Sequence, residues 1–378
     1  MADKALQGIR VLEYCRGISG AYCTKLMGDL GAEVIKLEAP HRGDDTRRAG
    51  PFAGDEPHIE KSGLFLFLNT SKLGITLDPR TPAGKTIFER LATGADVVVE
   101  DWPGGTLDAQ GLGYDRLRAL NAGLIVASLT PFGLSGPNAH LKAHGLNISH
   151  ASGQGNLLPM PSPNLERAPV KVGGHCTDYD SGQTAALGIL AALFHRAISG
   201  RGQFIEVSQQ EAVLNLQRIE SVVFANAGEV LDRRGPDGDR RITKIFECKD
   251  GWVVAVAPLA HQLAGLARLL EEFPDMREHT RAEVCARGQA LACPISPMNS
   301  PQDVAASPQL RAREFFTPVA HPVAGVVEMP TGLCRFSQTP IAIERAAPVL
   351  GQHNDMIYRE RLGIDADAMT ELRETGAI

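Results

Sequence analysis

The side chain best placed for chemistry is a carboxylate at the mouth of a long apolar run. Asp178 opens the pattern Asp178-Tyr179-Asp180-Ser181-Gly182, and the Ala/Leu-rich stretch behind it predicts a helix from Tyr179 to Ile198. Such an aspartate most often caps the helix by accepting a bond from a free backbone N–H. It can also act as a nucleophile, with the same N–H groups stabilising developing negative charge. Asp180 reads as a first-turn acid favoured by the helix dipole. Further upstream, Arg16-Gly17-Ile18-Ser19-Gly20 forms a short loop in which Ser19 suits the N-cap of the next helix. Other chemistries lack their residues. The seven cysteines show no C-x-x-C pair and no zinc-ligand spacing. No G-x-G-x-x-G follows the first strand, which disfavours a dinucleotide-binding dehydrogenase.

These residues need a scaffold, and the first half of the chain predicts one. Ile9–Tyr14, Glu33–Leu37, Gly74–Leu77, Asp96–Glu100 and Leu124–Leu129 read as strands. Between them, Ser19–Leu30 and the stretch around Ile87 and Leu91 read as helices. That alternation predicts an α/β fold with a mainly parallel sheet, whose strand carboxyl ends offer a ligand crevice. Gly200 and Gly202 end the long helix, a strand follows at Gly202–Ser208, and a further helix is expected from Gln209 to Ala227. The charged segment Val230–Arg241 predicts an exposed loop. A hairpin turning at Asp250-Gly251 comes next, then helices from His261 to Ala292 and at the C-terminus. A boundary is expected near 205–240.

Bulk properties narrow the class. With 378 residues, 43% hydrophobic and 22% charged, the chain is an ordinary globular protein. A net charge of -6 argues against non-specific nucleic-acid binding. Scattered cysteines in odd number suggest free thiols in a reducing cytoplasm. The N-terminal stretch lacks a signal peptide's apolar core, and the longest apolar run, Ala185–Phe194, is too short to span a bilayer. The expectation is a cytoplasmic protein with no membrane or nucleic-acid partner.

Several blocks then resemble one family, the class III CoA-transferases, which includes formyl-CoA, carnitine and bile-acid-inducible types. The opening Leu6–Tyr14 followed by Gly28–Pro40 is similar to the family's start. Asn69–Lys85 and Ala95–Gly133 resemble its second and third blocks, Asp178–Leu216 is the most diagnostic stretch, and Thr339–Asp355 matches the C-terminal signature. The resemblance implies a Rossmann-like large domain built from both chain ends, a smaller α+β domain, and an interlocked homodimer. It divides the chain as 1–205 large CoA-binding domain, 206–240 linker helix and loop, 241–325 small domain, and 326–378 return to the large domain. Coenzyme A and acyl-CoA are implied as substrates alongside a small carboxylic acid, with no permanently bound cofactor and no metal.

By the same resemblance Asp178 is the catalytic carboxylate that carries CoA as a transient aspartyl thioester. Arg16, Ile18 and Ser19 sit where the family wraps pantetheine and phosphates. Leu77 and Arg80 match a CoA-contacting pair, Asp101 and Trp102 replace the usual Asn-Phe, and Lys142 matches a lysine near the phosphates. Arg42, Arg47 and Arg48 follow the second strand, where the family often makes an adenine or phosphate contact. Trp102 fits core filling equally well, and Lys142 a solvated surface position.

His144 keeps an alternative open. In the related α-methylacyl-CoA racemases a His–Asp pair moves the α-proton of the thioester, and the corresponding stretch here is Ala143–Ile148. A His144–Asp178 racemase is therefore a second reading, although the residues after Asp178 differ and a racemase glutamate falls at Ala260. His144 otherwise binds substrate or lines the pocket. A catalytically inactive CoA-binding protein is a third reading, opposed by the intact D-x-x-x-G. The segment Gly235–Arg241 stands where formyl-CoA transferases carry a glycine run, and its different composition argues against formyl/oxalate specialisation.

Overall fold

The computed structural model describes residues 3–159, 162, 164–216, 218–233 and 243–378. Six parallel strands form its central sheet: β1 (Arg10–Tyr14), β2 (Glu33–Glu38), β3 (Lys72–Thr76), β4 (Val97–Glu100), β5 (Ile125–Thr130) and β6 (Phe204–Ser208), in the order 3-2-1-4-5-6. The mostly apolar, fully buried runs of β4 and β5 suit strands covered on both faces. The order reverses between β1 and β4, which pair through Tyr14 and Glu100. A doubly wound sheet opens its ligand crevice at that switch point.

Helices cover the two faces. In order they are α1 (Ile18–Asp29), α2 (Gly63–Leu68), α3 (Pro82–Thr93), α4 (Thr106–Ala109), α5 (Tyr114–Leu120), α6 (Gly145–Ala151), α7 (Cys176–Ser199), α8 (Gln209–Leu214) and α9 (Arg218–Ala227). One apolar cluster packs Leu12, Val98 and Val126 against Ile87, Phe88 and Leu117; the other packs Val11, Val99 and Ala127 against Met27, Ala185 and Ile189. The expected helix over 209–227 is two helices, with Asn215 as the C-cap of α8.

Beneath α1 the sheet carries buried charge. Glu13 pairs with Lys36 at 2.7 Å and Lys72 at 2.8 Å, and Lys36 also meets Asp44 at 2.6 Å. Burial alone would raise the Glu13 carboxyl, but Lys36 and Lys72 overcome it and hold the group at about 2. Thr24 of α1 donates to Glu13 at 2.6 Å, which seats the helix on this cluster.

The chain divides into two compact units, Met1–Gly155 with Lys171–Val230 and Phe315–Ile378, and Asn156–Val170 with Leu231–Glu314. The first thus holds both chain ends. His353 Nδ1 accepts from Gly74 N at 3.0 Å and Asn354 Oδ1 from Thr76 N at 2.9 Å, so side chains complete the edge of β3 where no strand lies. The second unit has an antiparallel sheet of β7 (Thr243–Cys248), β8 (Gly251–Val256) and β9 (Ile295–Met298), with helices Ala260–Glu272 and Arg281–Ala290. The hairpin expected at Asp250-Gly251 is present. Among the described residues, no helix is long and apolar enough to cross a membrane.

Candidate active site

Helix α7 begins at Cys176, one turn earlier than its apolar run suggests, so Asp178 lies inside the first turn. Its N-cap is His175, and the capping role open to Asp178 is therefore not the one it takes. A carboxylate here feels the positive end of the helix dipole. Its partners come from elsewhere in the chain. Ser19 Oγ lies 3.5 Å from Oδ1, and Ser19 in turn accepts from Gln209 Nε2 at 2.8 Å. On the other side, His175 Nδ1 stands 3.6 Å from Oδ2.

Glycine makes this convergence possible. A Cβ on Gly182 would come 2.6 Å from the Ser19 carbonyl oxygen, so only glycine lets α7 approach the start of α1 this closely. Gly182 follows Asp178 by four residues and shares its helix face. The spacing in D-x-x-x-G thus has a mechanical meaning: the glycine docks the helix and the aspartate meets Ser19. Ser19 is not the cap of α1, which is Gly17; its hydroxyl is turned to the carboxylate instead. Gly145 does similar duty on α6, where a Cβ would stand 2.6 Å from Thr177 Oγ1 and 3.2 Å from Asp178 Oδ2.

Burial raises the Asp178 carboxyl above its ordinary value, while His175 and Ser19 pull it back. The side chain keeps 18% of its surface in solvent. Asp178 is thus partly desolvated and still reachable.

A second cluster lies at the switch point. Asp101, just past β4, accepts from Arg16 N at 2.8 Å and Gly17 N at 3.0 Å, which ties the loop after β1 to the end of β4. The Arg16 guanidinium lies 5.0 Å from the centre of the Trp102 ring, a cation–π contact, and Trp102 packs on Tyr14 at 5.1 Å. Burial pushes Glu100 up to about 7 and Asp101 to about 6. Burial thus works against the negative charge that Glu100 and Asp101 bring to this end of the sheet.

A family model described as CoA-transferase family III matches residues 6–277 and 275–354. The chain belongs to CoA-transferase family III. A formyl-CoA:oxalate CoA-transferase of Rhodopseudomonas palustris is 30% identical to it over 99% of this chain and 97% of the relative. The succinyl-CoA:glutarate CoA-transferase of Homo sapiens is 31% identical over 99% and 90%. A CAIB/BAIF family protein from Brucella suis shares the fold at a TM-score of 0.83 and 28% identity, covering 95% of this chain and 99% of that one. The chain is an enzyme of the CoA-transferase class, and relatives named for transfer favour that activity over racemisation or inactive binding. Its chemistry uses CoA thioesters as substrates.

In this family III CoA-transferase the remaining expected site residues are dispersed. Leu77 is 1% exposed and packed in the core, so its side chain is closed to a ligand. Arg80 is exposed and bound through two nitrogens to Asp78, at 2.8 and 2.7 Å. Lys142 and His144 lie at the surface, and Ile18 is half-buried at the start of α1. Among the described residues the histidine paired with Asp178 is His175, not His144. Arg47 is fully buried between Glu38 and Glu60, at 2.6 Å from each, and cannot meet a nucleotide; Arg42 is exposed and pairs with Asp45. Arg48 donates to the Arg42 carbonyl. Gly235–Arg241 lies outside the described residues, and the formyl/oxalate and succinyl/glutarate relatives match almost equally well. Sequence reasoning missed His175 and Gln209 as site residues; His175 precedes the Asp178 motif, Gln209 lies inside the Asp178–Leu216 block, and neither type has a pattern of its own.

Proposed function

We propose that the enzyme moves CoA from an acyl-CoA to a free carboxylic acid through a thioester on Asp178. What carries this reading is a partly exposed carboxylate on the first turn of a helix, held through one oxygen by a buried hydroxyl and with an exposed histidine beside the other. An Asp178 oxygen attacks the thioester carbonyl, forming a C–O bond as the C–S bond breaks and CoA leaves as thiolate. The thiolate attacks the Asp178 carbonyl carbon of the resulting anhydride. A C–S bond forms, the bond to the bridging oxygen breaks, and the donor acid departs as carboxylate. An acceptor carboxylate then reverses these steps and restores Asp178. Each hard exchange is split into easier covalent ones.

Arg16 and Trp102 offer a cation and a ring face for the nucleotide, with Asp101 fixing their loop; Ile18 and Ser19 border the pantetheine path. Arg80 and Lys142 are exposed cations suited to phosphates, and Leu77 contributes through its main chain. His144, the exposed N-cap residue of α6 next to Gly145, is placed to border the acid substrate. Oxalate and glutarate, the acids named for the two relatives, are both dicarboxylates, so a dicarboxylic acid is the acceptor class proposed here, with succinyl-CoA or another dicarboxyl-CoA as donor. We also infer a homodimer, because Leu187, Phe194 and Ile198 of α7 and Ile219, Val222 and Phe224 of α9 leave a broad apolar surface in solvent. Free cysteines, four of them buried, suit a reducing cytoplasm.

Incubation with a donor acyl-CoA, followed by mass spectrometry, is expected to find CoA on the Asp178 peptide, removable by hydroxylamine. Asp178→Ala should lose the adduct and roughly 10³-fold or more of the exchange rate. Full exchange in that variant would sink the reading.

A further inference from the structure

The two oxygens of Asp178 have unlike surroundings. Oδ1 faces Ser19, which is 1% exposed and fixed by Gln209. Oδ2 faces His175, whose side chain is 48% exposed, and lies close to Gly145, where a Cβ would stand 3.2 Å from it. Buried Ser19 closes the Oδ1 side, so the exposed imidazole marks the Oδ2 side as the one substrate approaches. At 3.6 Å the Nδ1···Oδ2 separation exceeds a hydrogen bond, so the imidazole is near the reacting atom without being committed to it. It makes no capping hydrogen bond to α7, and its ring meets Tyr179 edge-on at 6.5 Å. Lys171, whose charge also reaches Asp178, donates to the carbonyls of Val172 and Gly174.

We propose that His175 is a catalytic residue that releases and receives the carboxylates of the acid substrates at Oδ2, the Asp178 oxygen exchanged during turnover. This rests on the thioester mechanism proposed above. There the attacking oxygen becomes the anhydride bridge and leaves in the donor acid: the C–Oδ2 bond breaks as the C–S bond forms, and its electron pair goes to the departing carboxylate. An imidazole N–H hydrogen-bonds that carboxylate as it leaves. The acceptor's carboxylate then takes the same N–H, and its oxygen fills the vacated position when the C–S bond breaks. The proton stays on the ring and nothing is oxidised. Oδ1 remains the carbonyl oxygen, with the Ser19 hydroxyl donating to it as charge develops.

The test compares wild type, His175→Ala and His175→Gln by adduct yield on Asp178 and by KM for a dicarboxylate acceptor. His175→Ala should form the adduct more slowly but reach the wild-type yield, raise the acceptor KM about 10-fold or more, and change the acyl-CoA KM less than about two-fold. His175→Gln keeps an N–H donor and should recover most of the loss. An adduct with unchanged acceptor KM in both variants overturns the role of His175 alone. No adduct in wild type brings down the Asp178 mechanism and this role with it.

Discussion

At Asp178 two effects oppose each other. Burial favours the protonated acid, whereas nucleophilic attack needs the carboxylate. Because the folded-state value lies above the ordinary 3.8, the group still holds its proton at a pH where a free aspartate has lost it. Activity should therefore fall as pH drops, with an acid limb above 3.8. Ser19→Ala removes a donor to the charged form and should move that limb further up, as pH–rate profiles of kcat/KM for the donor would read. An acid limb that stays put in Ser19→Ala would mean that the hydroxyl does not act on this carboxyl. The same logic explains Glu100 and Asp101, two carboxyls without a cationic hydrogen-bond partner. Asp178 could be singled out from sequence because its D-x-x-x-G pattern resembles the family's and precedes a long apolar run. His175 could not, since a histidine three residues before an aspartate follows no rule until the helix start is known.

At the scale of elements, the decisive event is the docking of α7 on α1. Gly182→Ala poses a contest of magnitudes. Alanine gains about 1 kcal/mol of helix propensity over glycine. Its Cβ, however, would stand 2.6 Å from a backbone oxygen, and overpacking of that kind costs about 1–3 kcal/mol. The clash should win or nearly cancel the gain, and the two helices should part. Chemical denaturation should show little or no stabilisation, while kcat falls because Ser19 moves off the carboxylate. A variant with wild-type kcat would show that the close approach is dispensable. The Glu13–Lys36–Lys72 cluster illustrates the opposite case. Its strands were legible as apolar runs, but the charges embedded in them became a network only once three strands were in register.

For the whole molecule, the exposed apolar residues of α7 and α9 carry the prediction. Phe194, 72% exposed, and Ile198, 76% exposed, are costly to leave in water. If they belong to a dimer interface, Phe194→Glu combined with Ile198→Glu should shift sedimentation toward monomer and reduce exchange, while improving solubility at low concentration. A wild-type protein that sediments as a monomer at working concentration removes the dimer proposal.

The sequence alone determined the class of fold and the family, because alternating apolar periods and ordered motif blocks are properties of the chain. Through the family resemblance it singled out Asp178, the loop at Arg16–Gly20 and the Asp101-Trp102 pair as expected site residues. Tertiary structure alone decided which of these meet: Ser19 reaching Asp178 from 159 positions away, Asp101 binding the loop after β1, and Arg47 withdrawn between two glutamates. It also brought His353 and Asn354 to the edge of β3 and joined 156–170 with 231–314 in one unit. The physical reason is that side-chain pairing depends on helix starts, strand register and close glycine contacts. A shift of one residue in any of these turns a side chain to another face.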